Sequence, residues 1–214
     1  MCGIIGVASS KPSVDKLLIG LLRQEYRGYD SAGLAIFDES EQVQVFKSTG
    51  KVSELQNSID NNPVNGNTGI AHTRWATHGL PTEANAHPHH SNNKVFVIHN
   101  GIIENYRPLR AKLIAKGIEL QSETDSEVLA HMISLELAKG ASPQESVRKM
   151  LKRVRGTWGL CVMFLGHDML ICARHGSPLI IGQGEGEMFV SSDPHPLTSH
   201  TQRVVYLEDG DMAT

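Results

Sequence analysis

Short apolar runs in the first half of the chain predict buried strands. Runs of this length, rich in β-branched residues and bounded by polar or glycine-containing segments, are typical of strands. They occupy residues 3–8, 34–37, 43–46, 69–73 and 95–99. The polar residues 38–41 join the second run to the third, and this arrangement predicts a β-hairpin.

Amphipathic segments between these runs predict helices. Ser13 precedes the first of them and belongs to the residue types that cap helix N-termini. Residues 51–59 show a weaker pattern of the same kind and predict a second helix. The apolar face of the first helix is expected to comprise Val14, Leu17, Leu18, Leu21 and Leu22.

Three further helices are predicted in the middle of the chain. The first is expected to end at Gly117 and the second at Gly140, because glycine readily adopts the conformation that terminates a helix. Thr124 or Asp125 is the expected N-cap of the second helix. The apolar positions of the two helices are Leu109, Leu113 and Ile114, then Val128, Leu129, Met132, Ile133 and Leu137.

The third of these helices has the most complete N-terminal signal. Ser142, Pro143 and Glu145 supply a cap, a first-turn proline and a capping-box partner. Its apolar positions are Val147, Met150, Leu151 and Val154.

Beyond Thr157 the pattern returns to strands with short links. Short links force antiparallel neighbours, because parallel pairs need long crossover connections. Strands at both ends with helices between them predict one α+β domain with layered sheets and no internal linker. The strand-like runs occupy residues 158–165, 170–173, 179–181, 188–191 and 204–207.

Composition narrows the classes of partner. The 214 residues carry a net charge of −3, so no basic surface for nucleic acid is expected. No apolar run approaches the roughly 20 residues that span a bilayer, and the N-terminus lacks the basic region of a signal peptide. Cys2, Cys161 and Cys172 are odd in number and widely spaced, which predicts a reducing compartment, with the last two as buried thiols.

Cys2 is the first candidate for chemistry. It follows the initiator methionine, and removal of Met1 would leave one residue with both a thiol and an α-amine. An amine with a pKa of roughly 7.7–8.0 is partly unprotonated at neutral pH. It can therefore serve as the general base that a cysteine nucleophile needs.

Other clusters supply groups that would bind an amino acid. Residues 25–33 hold three charges, two tyrosines and two glycines between a predicted helix and a predicted strand, an arrangement that often brings backbone close to a ligand. Arg74 can bind a carboxylate with its two-pronged guanidinium. Asn100 and the adjacent Gly101 can present two N–H donors to a developing oxyanion. The nearby His72, His78, His87, His89 and His90 lack the repeated spacing of a zinc site.

Six segments carry a resemblance to a known family. They read MCGIIG, EYRGYDSAG, HTRWATHG, NAHPH, HNGIIEN and SETDSE. In this order and spacing the chain resembles the class II glutamine amidotransferases, which are N-terminal-nucleophile hydrolases, from Cys2 to about Ala213. The sequences of these segments are more similar to the amino-sugar-forming branch than to the purine amidophosphoribosyltransferase or asparagine synthetase branches.

The resemblance implies a fold and an activity. The fold would be α+β, a four-layer αββα sandwich of antiparallel sheets. The enzyme would hydrolyse L-glutamine to glutamate and ammonia through a γ-glutamyl thioester, with no metal and no organic cofactor. In the full-length enzyme, a cytoplasmic homodimer, ammonia would pass to fructose 6-phosphate on a sugar isomerase domain and give glucosamine 6-phosphate.

The resemblance also implies a role for individual residues. Cys2 would be the nucleophile, and the Asn100 side chain with the Gly101 backbone N–H would form the oxyanion hole. Arg74 would bind the glutamine α-carboxylate and Asp125 its α-ammonium. The remaining implied roles are pocket lining by Thr77, His78 and Gly28, support of the N-terminus by Arg27, and gating of ammonia by Trp75.

Two expectations concern the extent of the chain, and three alternatives remain. Residues 1–214 are expected to form one glutaminase domain without the isomerase half of the family, so the chain should hydrolyse glutamine without making the amino sugar. A form that keeps Met1 is expected to be inactive, because its Cys2 amine is an amide. The alternatives are the glutaminase half of another amidotransferase, a non-catalytic glutamine-binding or assembly domain, and a zinc protein.

Overall fold

Two sheets and two groups of helices make up the computed structural model, which describes residues 2–38, 40 and 42–214. The helices of this part of the chain are α1 (Val14–Leu22), α2 (Val52–Asn61), α3 (Tyr106–Ile114), α4 (Glu127–Leu137) and α5 (Pro143–Leu151). The strands are β1 (Gly3–Ser9), β2 (Ser31–Phe37), β3 (Val43–Thr49), β4 (Thr68–Arg74), β5 (His89–Ser91), β6 (Val95–Ile103), β7 (Gly156–Phe164), β8 (His167–His175), β9 (Ile180–Gln183), β10 (Glu187–Ser191), β11 (Val204–Tyr206) and β12 (Met212–Ala213).

Both sheets are antiparallel. The larger one has the order β11-β9-β10-β1-β4-β2-β3, and the smaller one has the order β12-β8-β7-β6-β5. In the larger sheet β1 and β4 are central neighbours, with Gly3 opposite Thr73. In the smaller sheet β6 pairs with β7 along its whole length, with Asn100 opposite Gly159. The short links between strands therefore join antiparallel neighbours, as predicted from the sequence.

Three apolar layers hold the sheets and helices together. Consecutive residues of a strand point to opposite faces, so Val97 of β6 packs towards the helices while Phe96 packs towards the other sheet. The layer between α1, α2 and the larger sheet includes Leu17, Leu55 and Leu34. A third apolar layer lies between α3–α5 and the smaller sheet. The elements are therefore stacked in the order helices, sheet, sheet, helices. The predicted four-layer αββα sandwich is confirmed.

The strand and helix predictions are confirmed, with corrections at their ends. The hairpin is present, with Phe37 opposite Val43; Glu39 and Glu41 of its link lie outside the described residues. Strand β6 does not end at His99 but continues to Ile103. Leu22 and Ile114, predicted on apolar faces, are exposed. The sequence missed β5 and β12, which are edge strands of three and two residues.

Helix capping follows the prediction at one of three sites. The Ser142 hydroxyl accepts a hydrogen bond from the Glu145 backbone N–H at 3.2 Å, as predicted for α5. Ser13 lies at the N-cap of α1, but its hydroxyl donates to the carbonyls of Lys11 and Asn67 and does not cap. The N-cap of α4 is Ser126, so the prediction of Thr124 or Asp125 is wrong. The Thr124 hydroxyl instead lies 2.9 Å from His89 Nε2, and the Asp125 carboxylate accepts from the Ile103 backbone N–H.

None of the described helices is long and apolar enough to cross a membrane.

Candidate active site

A cavity of about 370 Å³ opens where the two sheets meet, at the end of β1 and β4 and beside β6. Because β1 and β4 run antiparallel, the start of one and the end of the other lie together, which places Cys2 next to Trp75. This volume falls within the range of small-molecule pockets. Of the ten predicted site residues, the cavity is lined by Cys2, Arg27, Arg74, Trp75, Thr77, His78, Asn100, Gly101 and Asp125.

Cys2 is fixed by the strand that follows it. The Gly3 backbone N–H donates to the Thr73 hydroxyl at 3.0 Å. The Cys2 Sγ accepts a hydrogen bond from the Trp75 backbone N–H at 3.2 Å. Burial raises the pKa of the Cys2 thiol, so the thiol form is favoured and a base is needed to activate it. Met1 lies outside the described residues.

Asn100 reaches Cys2 from the other sheet. Its Nδ2 donates to the Cys2 carbonyl at 3.0 Å, and its Oδ1 lies 3.0 Å from His72 Nε2. The next residue, Gly101, has a φ of 131°, and a Cβ there would lie 2.1 Å from the Thr157 carbonyl oxygen. Glycine is therefore required beside the Asn100 amide.

Arg74 organises the loop that follows β4, residues 75–80. Its guanidinium donates to the carbonyl oxygens of His78, Gly79 and Leu80, at 3.2 Å for Gly79 and 3.1 Å for Leu80. It also lies 3.8 Å from the Asp30 carboxylate. A guanidinium has five N–H donors, more than these three bonds use, so donors remain for a ligand in the cavity.

Asp125 is a buried carboxylate at the wall of the cavity, 3 % exposed. Its Oδ2 accepts a hydrogen bond from the Ile103 backbone N–H at 2.6 Å, and its Oδ1 accepts one from the Ser126 hydroxyl at 3.3 Å. The half-buried His78 imidazole lies beside it, with its Nδ1 4.0 Å from Oδ1. A buried carboxylate with so little neutralisation favours a cationic ligand.

Gly28 and Trp75 form the mouth of the cavity. Gly28 has a φ of 120°, and a Cβ there would lie 1.9 Å from the Trp75 ring. Gly28 thus does not line the cavity itself but lies against the ring that does, and the indole remains 58 % exposed. Thr77, exposed beside it, has its hydroxyl 3.2 Å from His78 Nδ1.

Arg27 connects the cavity to the start of the chain. Its guanidinium donates to the Ser192 carbonyl at 3.0 Å and to the Asp193 carboxylate at 3.2 Å. The Ser192 hydroxyl in turn accepts from the Ile4 backbone N–H at 2.9 Å, two residues from Cys2.

Sequence reasoning missed several residues of the site. Asp30 accepts a hydrogen bond from the Ala76 backbone N–H and so fixes the loop after Trp75. His72 contacts Asn100, and Thr157 lines the cavity beside Gly101. The sequence signal for Asp30 and His72 was their position inside the glycine-containing segments 25–33 and 72–79. The described residues contain no group of three or more metal-ligating side chains.

Comparison with known proteins identifies the class. Residues 72–199 match the family described as "Glutamine amidotransferase domain", and the chain belongs to this family. It is 49% identical over all 214 residues to the glutamine–fructose-6-phosphate aminotransferase (isomerizing) of Shigella flexneri, and 50% identical to that of Bradyrhizobium diazoefficiens. The chain spans 35% of the length of these relatives.

A solved structure agrees with the fold. The glutamine phosphoribosylpyrophosphate amidotransferase of B. subtilis matches 99% of this chain and 46% of its own, with a TM-score of 0.84 and 25% identity. The chain therefore has the fold of the N-terminal-nucleophile amidotransferases.

Proposed function

We propose that Cys2 hydrolyses L-glutamine to glutamate and ammonia in the 370 Å³ cavity. The observation that carries this proposal is the meeting of two groups from different sheets. The Cys2 thiol and the Asn100 amide share one cavity, with Asn100 Nδ2 3.0 Å from the Cys2 carbonyl. A nucleophile beside a fixed N–H donor is what attack on a carboxamide needs.

Two charged groups in the cavity support an amino acid as the substrate. Arg74 supplies guanidinium donors for the α-carboxylate of glutamine. Asp125 supplies a buried negative charge for the α-ammonium group. Thr77 and His78 complete the wall, and Gly28 holds the ring of Trp75 against it.

The reaction proceeds through a thioester. The Cys2 sulfur attacks the side-chain carboxamide carbon, and its proton passes to the base. The C=O electron pair moves to oxygen, and the resulting oxyanion is held by Asn100 Nδ2 and the Gly101 N–H. Collapse of this intermediate breaks the C–N bond, and the base returns the proton to the leaving nitrogen, which departs as ammonia. Water then attacks the thioester and releases glutamate and the thiol.

The base in this proposal is the α-amine of Cys2. It exists only after Met1 is removed, because Met1 would convert the amine into an amide. The raised pKa of the Cys2 thiol supports the need for such a base. Arg27 keeps the N-terminal segment in place through Ser192, which bonds to the Ile4 backbone.

The activity of the whole protein follows from its relatives. We propose that residues 1–214 are the glutaminase domain of a longer glutamine–fructose-6-phosphate aminotransferase. A sugar isomerase domain would receive the ammonia, and the exposed Trp75 at the cavity mouth would gate its passage. The full-length protein would be a homodimer in the cytoplasm, a location supported by the odd, widely spaced cysteines.

Glutamate release from L-glutamine tests the proposal. The wild-type chain and a Cys2→Ala variant would be compared, with intact mass recorded to show whether Met1 is absent. We expect release by the wild type and none by Cys2→Ala. A Cys161→Ala variant is the matched control, because it removes a thiol that is buried away from the cavity.

The role of the α-amine is tested separately with an N-terminally extended form. We expect this form to fold and to lose glutamate release, since its Cys2 amine is blocked. Full activity of the extended form would reject the amine as base while leaving Cys2 as nucleophile. Absence of activity in correctly processed wild-type protein, even with the isomerase half added in trans, would reject glutamine hydrolysis itself.

A further inference from the structure

His72 lies directly behind the Asn100 amide. It is a residue of β4, 1 % exposed, and its Nε2 is 3.0 Å from Asn100 Oδ1. On the other side of the same amide, Asn100 Nδ2 is 3.0 Å from the Cys2 carbonyl. The amide is thus bonded between a buried imidazole and the nucleophilic residue.

The chemistry of the amide fixes the protonation of this imidazole. Asn100 Oδ1 can only accept a hydrogen bond, so His72 must carry its proton on Nε2. Rotation of the amide by 180° would bring its NH₂ group to His72 and its oxygen to the Cys2 carbonyl. Two oxygens would then face each other, and the donor would be lost from the nucleophile.

The surroundings of His72 hold it in this state. Its ring stacks on the His87 ring at a centroid distance of 4.2 Å and an interplanar angle of 28°. Its Nδ1 is buried and makes no hydrogen bond of ordinary geometry among the described residues. Burial lowers the pKa of His72 to about 3, so the ring stays neutral over the whole working range of pH.

We propose that His72 is a positioning residue, whose Nε2–H fixes the Asn100 amide with its Nδ2 facing the nucleophile. The effect of His72 on kcat, the functional part of this proposal, rests on the proposed glutamine hydrolysis. The tautomer of His72 and the orientation of the Asn100 amide, its structural part, do not. Among the described residues no hydrogen bond joins His72 to Cys2, although His72 lines the same cavity; it acts through Asn100. The amide is thereby oriented before glutamine binds, and no reorganisation is needed when the oxyanion develops.

Nitrogen NMR of histidine-labelled protein tests the structural part. The two ring nitrogens have distinct ¹⁵N shifts in each tautomer, and His72 is assigned by loss of its signals in His72→Gln. We expect the neutral Nε2–H tautomer at neutral pH. An Nδ1–H tautomer would overturn the proposal, whether or not the protein hydrolyses glutamine.

Steady-state kinetics of two substitutions tests the functional part. His72→Gln keeps an N–H donor near the position of Nε2, while His72→Met fills a similar volume without a donor. We expect His72→Met to lose about 100-fold in kcat, as for a reacting group displaced by about 1 Å. Its KM should be nearly unchanged, and His72→Gln should recover most of kcat. His131→Gln and His131→Met, at a buried histidine bonded to Glu127, are matched controls that should retain kcat.

A second readout separates positioning from a general loss of structure. Alkylation of Cys2 by iodoacetamide is a displacement that forms no oxyanion. Its rate should therefore be the same in the wild type and in His72→Met when both are measured well below their melting temperatures. Slower alkylation together with a raised KM would mean that the substitution damages the whole cavity, and would overturn the positioning role.

A double-variant cycle tests whether the effect passes through Asn100. If it does, His72→Met should cost little in a chain that already carries Asn100→Ala. Independent, multiplicative losses would contradict the proposal, as would full kcat in His72→Met. Wild-type activity that is lost in Cys2→Ala but unchanged in His72→Met would reject only this inference and leave glutamine hydrolysis intact.

Discussion

At the residue scale, the mouth of the cavity depends on the absence of a side chain at Gly28. A Cβ there would lie 1.9 Å from the Trp75 ring, and the φ of 120° is unfavourable for other residues. We expect Gly28→Ala to displace the indole and to destabilise the fold by about 1–3 kcal/mol. Thermal unfolding and tryptophan emission would measure the two effects.

Gly117→Ala is the matched control for this substitution. Gly117 also has a positive φ, 78°, but a Cβ there meets no atom within 4 Å. It should therefore cost only the backbone strain, about 1 kcal/mol, with unchanged tryptophan emission. Equal effects of the two substitutions on emission would mean that Gly28 does not hold Trp75 in place.

A second prediction at this scale concerns the reactivity of Cys2. Burial raises the pKa of its thiol above the ordinary value of 9.0, so less thiolate is present at pH 8 than in a small free thiol. In a form with a blocked α-amine, we expect iodoacetamide to alkylate Cys2 more slowly at pH 8 than it alkylates N-acetylcysteine. Intact mass follows the reaction, and the buried Cys161 and Cys172 should stay unmodified. A rate that stops rising below pH 8 would contradict a raised pKa.

Single residues also show where sequence reasoning about the site ends. The cavity brings together Arg74, Asn100 and Asp125, which residue type and motif had marked as candidates. His72 and Asp30 could not be identified in this way. The atoms that they contact belong to Asn100 and Ala76, 28 and 46 positions away, and such pairings depend on the fold.

At the scale of elements, the loop of residues 75–80 is fixed from outside the cavity by Asn85. The Asn85 amide is 2 % exposed; its Nδ2 donates to the Leu80 carbonyl at 2.9 Å and its Oδ1 accepts from the Glu123 N–H at 2.8 Å. We expect Asn85→Ala to destabilise the fold by about 1–3 kcal/mol, because it leaves buried partners unpaired. It should also raise the KM for glutamine, since Arg74 bonds to the same loop.

Asn62→Ala provides the control for this element. Asn62 is exposed, and among the described residues its side-chain amide donates to the Ser58 carbonyl, at 3.3 Å. It should change neither the melting temperature nor KM beyond the scatter of surface substitutions, about 0.5 kcal/mol. An unchanged KM in Asn85→Ala, despite lost stability, would mean that the loop does not position Arg74.

The elements themselves were largely predictable, while their ends and neighbours were not. Apolar spacing predicted α4 because Val128, Met132 and Ile133 all face one core. Its N-cap was mispredicted because Asp125 bonds to Ile103 on another strand, a tertiary contact that outweighs local capping preference. The sheet order is likewise set by layer packing and not by local sequence.

At the scale of the whole molecule, the cavity requires both sheets. Cys2 and Arg74 lie at the ends of the central strands β1 and β4 of the larger sheet, and Asn100 lies on β6 of the smaller one. The layer between the sheets, which includes Ile4, Ile70 and Ile98, sets their distance. Any condition that loosens this layer should therefore separate Cys2 from Asn100.

Acid is such a condition, because four buried histidines lie between and behind the sheets. Burial is the largest cause that lowers the pKa of His72, to about 3, and it also lowers the pKa values of His87, His89 and His99. In the unfolded chain these groups take up protons near the ordinary value of 6.5. The stability that depends on these histidines being neutral is thus fully present above pH 6.5. It is lost as the pH falls towards their pKa values in the folded protein.

We therefore expect the free energy of unfolding to fall steeply below pH 6.5. Each histidine that is neutral only in the folded state contributes about 1.4 kcal/mol per pH unit, so four would give up to about 5 kcal/mol per unit. A slope of this size is large beside the total stability of a domain, about 5–15 kcal/mol. Glu127 affects stability in a lower pH range. Burial raises its pKa, but hydrogen bonds from His131, Gln121 and Ser122 outweigh burial and lower the pKa to about 2. Its contribution to the free energy of unfolding is therefore lost only as the pH falls below 4.5.

Urea unfolding between pH 8 and pH 5 would measure this slope, and one substitution would assign it. His87→Asn keeps an acceptor for the His99 N–H, which now bonds to His87 Nδ1 at 3.3 Å, but removes one titrating group. The slope should fall by about 1.4 kcal/mol per pH unit, or one proton. His195→Asn, at an exposed site, is the control substitution. A wild-type stability that stays flat from pH 7 to pH 5 would mean that the interior admits protonated imidazoles, and would contradict a neutral histidine cluster behind Asn100.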